Sequence, residues 1–318
     1  MDFHEIKAFT RQGMQVIGNP ATVTIVDEFP DDATMGQAAR MLASPMTTFV
    51  RPTDNPKVFE LRHFSPDGDE CHVCGHATMA ATELILRQNP SLRNNGDLSF
   101  RLNPKFGINA NSEIKATIDG QNISLTMPAI IDLQPMTDPE FYKVLCEGLR
   151  VQESELMKPV YFAPRVRDIV VGFKNAEVLL ALDPDFEKLK KMAIEGKFIH
   201  EGLMGTSMST IENFDVINRV FLPGIDVNED VACGSANCSV MPFWAAKNPD
   251  KFSAGKTDFK VIYPYPPGEE GYVGGVQDLH ISIPRQEIIL TGQASFEKTI
   301  GIDVVKTNGP GKSVFPRP

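Results

Sequence analysis

Two cysteines and two histidines fall within the nine residues Glu70-Cys71-His72-Val73-Cys74-Gly75-His76-Ala77-Thr78. Side chains of these types ligate metals, exchange disulfides or move protons, and the Cys71-x-x-Cys74 spacing suits the first two uses. Cys233 and Cys238 would complete a four-thiolate zinc site. Against that reading, structural zinc usually fixes a small loop-rich module, whereas both cysteine pairs here straddle the junction into a long apolar stretch of helical character.

The chain carries one pattern twice. Arg62-His63-Phe64-Ser65-Pro66 leads to Glu70 and then Cys74-Gly75-His76-Ala77; Arg219-Val220-Phe221-Leu222-Pro223 leads to Glu229 and then Cys233-Gly234-Ser235-Ala236. Both read R-x-F-x-P, a short loop, and E-x-x-x-C-G-x-A. Repetition at about half the chain length implies two domains of similar plan related by pseudo-symmetry, with a boundary near Met127-Pro128. The expected division is 1–127, 128–302 and an irregular tail, 303–318.

In each copy the cysteine stands where a helix begins. Unpaired N–H groups and the positive end of the helix dipole favour a thiolate there, so lowered thiol pKa values are expected at Cys74 and Cys233. If the two helix starts face one cleft, two thiols can take a proton from one face of a carbon and return one to the other, inverting it. N–H donors at Gly75, His76, Gly234 and Ser235 would hold a substrate carboxylate and the charge that develops on it. His76 could equally be an acid/base group or a structural residue. Cys71, Cys146 and Cys238 fit better as small buried apolar residues.

The surrounding sequence is that of an α+β protein. Short strand-like runs recur through both halves: 21–26, 58–64, 98–102, 122–127, 168–173, 177–182, 216–222, 259–263, 279–283 and 287–292. Helical windows fall near 33–43, 75–88, 138–149, 184–194 and 234–247, with stops at Asn89-Pro90 and Asn248-Pro249. The Pro/Gly-rich segment 263–275 reads as a lid or surface loop. Pro242 inside the last helical window costs about 3 kcal/mol unless the helix accommodates it.

Composition bounds the function. A chain of 318 residues, 42% hydrophobic and 23% charged, reads as soluble and globular. It shows no signal peptide and no run near the roughly 18 apolar residues of a membrane span, so a cytoplasmic protein without membrane association is expected. Five cysteines argue for free thiols, and a net charge of -10 argues against nucleic-acid partners while leaving room for a small anionic ligand. There is no G-x-G-x-x-G, no Walker loop and no lysine placed for pyridoxal phosphate, so no cofactor and no metal are expected.

Gly18-Asn19-Pro20-Ala21, Leu61 to Pro66 with Cys74 to Thr78, Phe162-Ala163-Pro164-Arg165, Phe221 to Pro223 with Glu229 to Ala236, and Leu290-Thr291-Gly292 occur in order. Together they resemble the phenazine biosynthesis PhzF-like family, of the superfamily that includes diaminopimelate epimerase and proline racemase. The resemblance implies a diaminopimelate epimerase-like fold: two pseudo-symmetric domains, each a curved, mostly antiparallel sheet round a central helix. It also implies an active site between the domains, last strands that return to the first domain, and commonly a homodimer.

Family members typically carry Ser-Glu-Thr-x-Phe, whose glutamate is the proton-transfer base, with the histidine of G-H and the aspartate of E-D. Here Ser44-Pro45-Met46-Thr47-Thr48-Phe49 puts Met46 at the glutamate position, while His76 and Asp230 match the other two. Ala232-Cys233-Gly234 and Cys74 are instead similar to the catalytic cysteine motifs of the epimerases. The expected catalytic residues are therefore Cys74, Cys233, His76 and Asp230, and the expected substrate-binding residues are Asn19, Gly75, His76, Gly234 and Ser235. The reading is a two-thiol racemase or epimerase of an amino acid or related small carboxylate. The alternatives are an isomerase that uses His76 and Asp230 on a non-amino-acid substrate, and a carboxylate-binding protein that has lost catalysis. Arg62, Arg165 and Arg219 are possible charge partners, or else ion-paired strand residues.

Overall fold

A computed structural model describes residues 1–71, 74–103, 113–194, 202–225, 227–247, 257–265 and 273–303. The expected stop at Asn248-Pro249, most of the 263–275 loop and the tail beyond 303 lie outside them.

The first half contains β1 (Asp2–Thr10), β2 (Asn19–Ile25), α1 (Asp32–Leu42), β3 (Thr47–Pro52), β4 (Val58–Phe64), α2 (Gly75–Gln88), β5 (Asn94–Leu102), β6 (Glu113–Asp119) and β7 (Asn122–Pro128). Then follow β8 (Gln134–Met136), α3 (Pro139–Leu149), β9 (Leu156–Ala163), β10 (Asp168–Phe173), α4 (Ala176–Leu180), α5 (Phe186–Ile194), β11 (Gly202–Met208) and β12 (Val216–Leu222). The chain continues through β13 (Val227–Asp230), α6 (Asn237–Lys247), β14 (Asp258–Pro264), β15 (Val273–Ser282) and β16 (Glu287–Gly301).

The strands form one sheet in the order β1-β2-β3-β4-β5-β6-β7-β16-β15-β14-β12-β11-β10-β9-β8, with β1 also paired to β16. That last pairing closes β1 to β7 and β16 into a barrel round α2. Every residue of α2 from Gly75 to Leu86 is buried, as a helix apolar on all sides requires. Asn237 to Trp244 of α6 are buried in the same way in the second half.

The repeat shows in the parallel pairs. β2–β3 are parallel across α1, and β4–β5 across α2. Likewise β10–β11 are parallel across α4 and α5, and β12–β14 across α6. The remaining strand pairs are antiparallel. β16 is shared: Glu287 to Gly292 pair with β7, Glu287 to Thr291 with β15, and Gln293 to Gly301 with β1.

Two local expectations are corrected. The run Glu177 to Leu182 is read as a strand but forms α4, where Ala176 and Leu179, three residues apart, bury one face. Arg219 Nη1 donates to the carbonyls of Leu179 (3.1 Å), Leu180 (3.3 Å) and Leu182 (2.8 Å), satisfying acceptors that a helix end leaves open. The last helix starts at Asn237 rather than Gly234, because its first turn is made of i to i+3 bonds: Asn237 N–H to Gly234 C=O, Cys238 to Ser235 and Ser239 to Ala236. Pro242 is accommodated without an orphan. The carbonyl it cannot serve, that of Cys238, accepts the Ile130 N–H at 2.7 Å.

Candidate active site

The repeated motif proves to be a clamp. In the first copy Arg62 Nε donates to Glu70 Oε1 at 2.8 Å, Nη2 bonds the other carboxylate oxygen, and the guanidinium lies 5.4 Å from the Phe64 ring centroid. In the second, Arg219 Nε donates to Glu229 Oε1 at 2.7 Å and Nη2 to Oε2 at 2.8 Å, with the guanidinium 5.2 Å from the Phe221 ring centroid. A strand arginine therefore grips the loop that delivers each cysteine, through a bidentate pair stacked on the phenylalanine. Arg62 and Arg219 are committed to these pairs and are not substrate partners.

The two loops meet. Gly75 and Gly234 approach so closely that a Cβ built on either lies 3.3 Å from the other's Cα, tighter than side chains normally pack. The close approach of two backbones favours glycine here, in keeping with the C-G of both copies. Above this contact is a cavity of about 200 Å³ lined from the first half by Asn19, Met46, Cys71, Cys74 and His76, and from the second by Asp230, Cys233 and Ser235. The six sequence-derived positions Asn19, Cys74, His76, Asp230, Cys233 and Ser235 thus share one cavity. Gly75 and Gly234 lie beneath it as the packing contact, and Met46 occupies its wall where a family glutamate would stand.

Each thiol has a polar neighbour. Cys74 Sγ is 3.2 Å from His76 Nδ1, and Cys233 Sγ is 3.4 Å from Ser235 Oγ. Asp230 lines the same cavity, and its charge acts on the Cys233 thiol. Asn19 fixes Asp230: its amide donates to Asp230 Oδ1 at 2.5 Å and to the Ala232 carbonyl at 2.8 Å, while the Ala232 N–H also reaches Asp230 Oδ1. Gly18, at a φ of 75°, permits the turn that buries Asn19.

Burial dominates the electrostatics, and it overturns the expected thiolates. Desolvation pushes both thiols well above their ordinary range; the N–H groups of Ala77 and His76 at Cys74, and of Ala236 at Cys233, pull down but do not compensate. The charge of Asp230 raises both further. Desolvation, aided by His63, lowers His76 to about 3, and desolvation raises Asp230 to about 6 against the hydrogen bonds it accepts. At neutral pH the cavity therefore holds two thiols, a neutral imidazole and a carboxylate poised near its titration.

A polar network behind Cys233 is not read from the sequence. The Tyr263 hydroxyl donates to the Cys233 carbonyl at 2.6 Å; Asn237 Nδ2 donates to the Tyr263 oxygen (3.0 Å) and to Gln277 Oε1 (2.6 Å). Asn218 Nδ2 donates to Asn237 Oδ1 at 3.1 Å. The available signal is asparagine at Asn218 and Asn237, inside otherwise apolar segments. Among the described residues, no group of three or more His, Cys, Asp or Glu side chains is arranged to hold a metal ion. No described helix is long and apolar enough to cross a membrane.

Fold and site together define an isomerase-type scaffold, and comparison with known proteins agrees. The family model for phenazine biosynthesis-like proteins matches residues 6–262, and the chain belongs to that family. It is 29% identical over 290 residues to an uncharacterized isomerase of Halalkalibacterium halodurans, covering 91% of this chain and 93% of that one. In fold it is similar to a PhzF-family phenazine biosynthesis protein of Bacillus anthracis, with a TM-score of 0.74, 17% identity and 96% and 99% of the two chains covered. It is also similar to a hydroxyproline epimerase of Agrobacterium vitis, solved with bound trans-4-hydroxy-L-proline, with a TM-score of 0.57, 11% identity and 94% and 91% coverage. The enzyme class is isomerase, the name its curated relatives carry.

Proposed function

We propose that the chain is a cofactor-independent racemase or epimerase that inverts the α-carbon of an amino acid or related small carboxylate by proton transfer between Cys74 and Cys233. One observation carries this reading: two thiols from opposite copies of the repeat line a single cavity, over helix-start loops that touch at Gly75 and Gly234.

Asp230, when ionised, accepts the Cys233 proton. The resulting thiolate removes the α-proton from one face of the substrate, and the electron pair of the broken C–H bond passes into the adjacent carboxylate. The Cys74 thiol delivers its proton to the opposite face, and the His76 and Ala77 N–H groups stabilise the thiolate left behind. No net oxidation occurs. Return of the proton from Asp230 to Cys74, or turnover of the opposite enantiomer, restores the starting state.

The test is incubation with candidate amino acids in D2O. Deuterium at the α-position together with loss of optical purity is expected; activity retained in both Cys74→Ser and Cys233→Ser refutes the assignment. A second reading draws support from Asp230, the cavity group poised nearest neutrality: an isomerase in which Asp230 and His76 carry the proton themselves, on a non-amino-acid substrate. It requires that Asp230→Asn be inactive while both serine variants turn over.

A further inference from the structure

The proposed proton transfer leaves one part of the cavity wall without a task. The hairpin joining β9 to β10 is closed by the Val166 N–H on the Ala163 carbonyl at 3.3 Å, and it places Arg165, Val166 and Arg167 on the cavity. Val166 packs against the main core, which fixes the hairpin. Arg165 is tied through Nε to Asp132 at 3.2 Å. Arg167 is half-buried yet has no hydrogen-bond or ion-pair partner among the described residues.

Its backbone is also costly. Arg167 has a φ of 55°, in the left-handed region that a residue bearing a Cβ enters only at a penalty that glycine avoids. The tight turn sets this φ, as it does for Gln286 between β15 and β16, and what distinguishes Arg167 is its place on the cavity. The neighbouring arginines cannot substitute for it, because Arg62 and Arg219 are held by Glu70 and Glu229.

We propose that Arg167, with Arg165 beside it, binds a second anionic group on the substrate, so that the enzyme takes acidic amino acids or comparable dicarboxylates. This rests on the racemase or epimerase reading. The α-carbon and its own carboxylate must sit between the thiols at the two helix starts, whereas Arg167 belongs to a different element and meets a different part of the molecule. A guanidinium keeps its charge at every relevant pH and offers a rigid fork of donors matched to a carboxylate. Partial burial protects the pair from screening. Asp67 and Asp69, on the loop before Cys71, also line the cavity and favour the ammonium end of the same substrate.

Isothermal titration of the full chain with L-glutamate, L-2-aminoadipate and L-glutamine tests this directly. At least one acid is expected to bind about tenfold or more tightly than the amide, as a charge-assisted pair implies. Arg167→Gln should erase that ratio without weakening glutamine. Arg167→Gly should erase it while raising the melting temperature, because glycine relieves the left-handed backbone. Equal affinity for acid and amide, no binding of either acid at millimolar concentration, or a ratio that survives in both variants overturns the proposal. Binding is read without turnover, so failure of the racemase reading shows separately, as bound acid that acquires no α-deuterium from D2O.

Discussion

At Cys74 the chain passes straight into α2: its carbonyl accepts the Thr78 N–H at 3.0 Å and the Thr78 hydroxyl at 2.8 Å. At Cys233 the corresponding carbonyl turns away from the helix to the Tyr263 hydroxyl, and α6 begins four residues later through a tighter first turn. The proton partners differ as well. Cys74 faces His76, whose counterpart is Ser235; Cys233 faces Asp230, whose counterpart is Cys71. Both Cys71 and Ser235 line the cavity. Duplication thus supplied two equivalent frames, and the site became unequal by changing one residue on opposite sides of each cysteine. In the proposed mechanism the two thiols play opposite roles in one turnover, and the inequality suits that, since Asp230, raised to about 6, is a better proton acceptor than His76, lowered to about 3.

The sharpest probe of this difference removes the sulfurs. Cys74→Ser and Cys233→Ser are each expected to lower the rate of inversion by about 10³-fold or more, read as loss of optical rotation, because general acid–base groups contribute on that scale. The clamps come next. Arg219 is nearly sealed from solvent, at 2% exposure, whereas Arg62 is at 15% and has Asp32 as a second partner. Glu229→Gln should therefore cost about 3 to 5 kcal/mol in urea unfolding, and Glu70→Gln distinctly less. Equal losses would mean that the two frames are energetically alike.

Asp230→Asn separates the loops by pH. The folded protein holds the Asp230 proton more tightly than the unfolded chain does, with the pKa raised from 3.8 to about 6. Relative to an uncharged side chain, this group contributes nothing to stability below those values, opposes folding increasingly as pH rises between them, and does so fully above them. The variant should gain on the order of 3 kcal/mol at pH 8 and nothing at pH 3, followed by thermal melting across that range. The smallest expected contrast lies in the carbonyl partners. Tyr263→Phe strands the Cys233 carbonyl and the Asn237 donor and should cost about 1 to 3 kcal/mol. Thr78→Val leaves the Cys74 carbonyl its N–H partner and should cost about 1 kcal/mol or less.

Much of this was legible in the residues, for definite reasons. Strands 58–64, 168–173 and 216–222 match β4, β10 and β12 because their apolar and β-branched residues leave no helical alternative. The segments now seen as β1, β3, β9 and β11 escaped, being either mixed in polarity or, as in Gly202 to Met208, short of strand-forming residues; neighbouring strands impose their conformation. The run 177–182 failed in the opposite direction: its β-like composition yields to carbonyls held by an arginine some 40 residues away. At the site, the repeat located both cysteines and the helix-start position of His76, while Asp230 came from the resemblance to the family. What it could not convey was depth. A helix start lowers a thiol pKa and burial raises it, and only the folded chain decides between them. Tyr263 and Gln277 were invisible for a similar reason, since their partners, the Cys233 carbonyl and Asn237, are adjacent only in space.

β16 follows every other strand in the chain, and this gives the molecule an order in time. During synthesis the first barrel stands open along one seam until β16 arrives, since Asp2 must wait for Gly301 and His4 for Thr299, 295 residues later. Until then β1 and β7 present unpaired margins, and the second half lacks the strand that completes β15. A single late strand seals both halves.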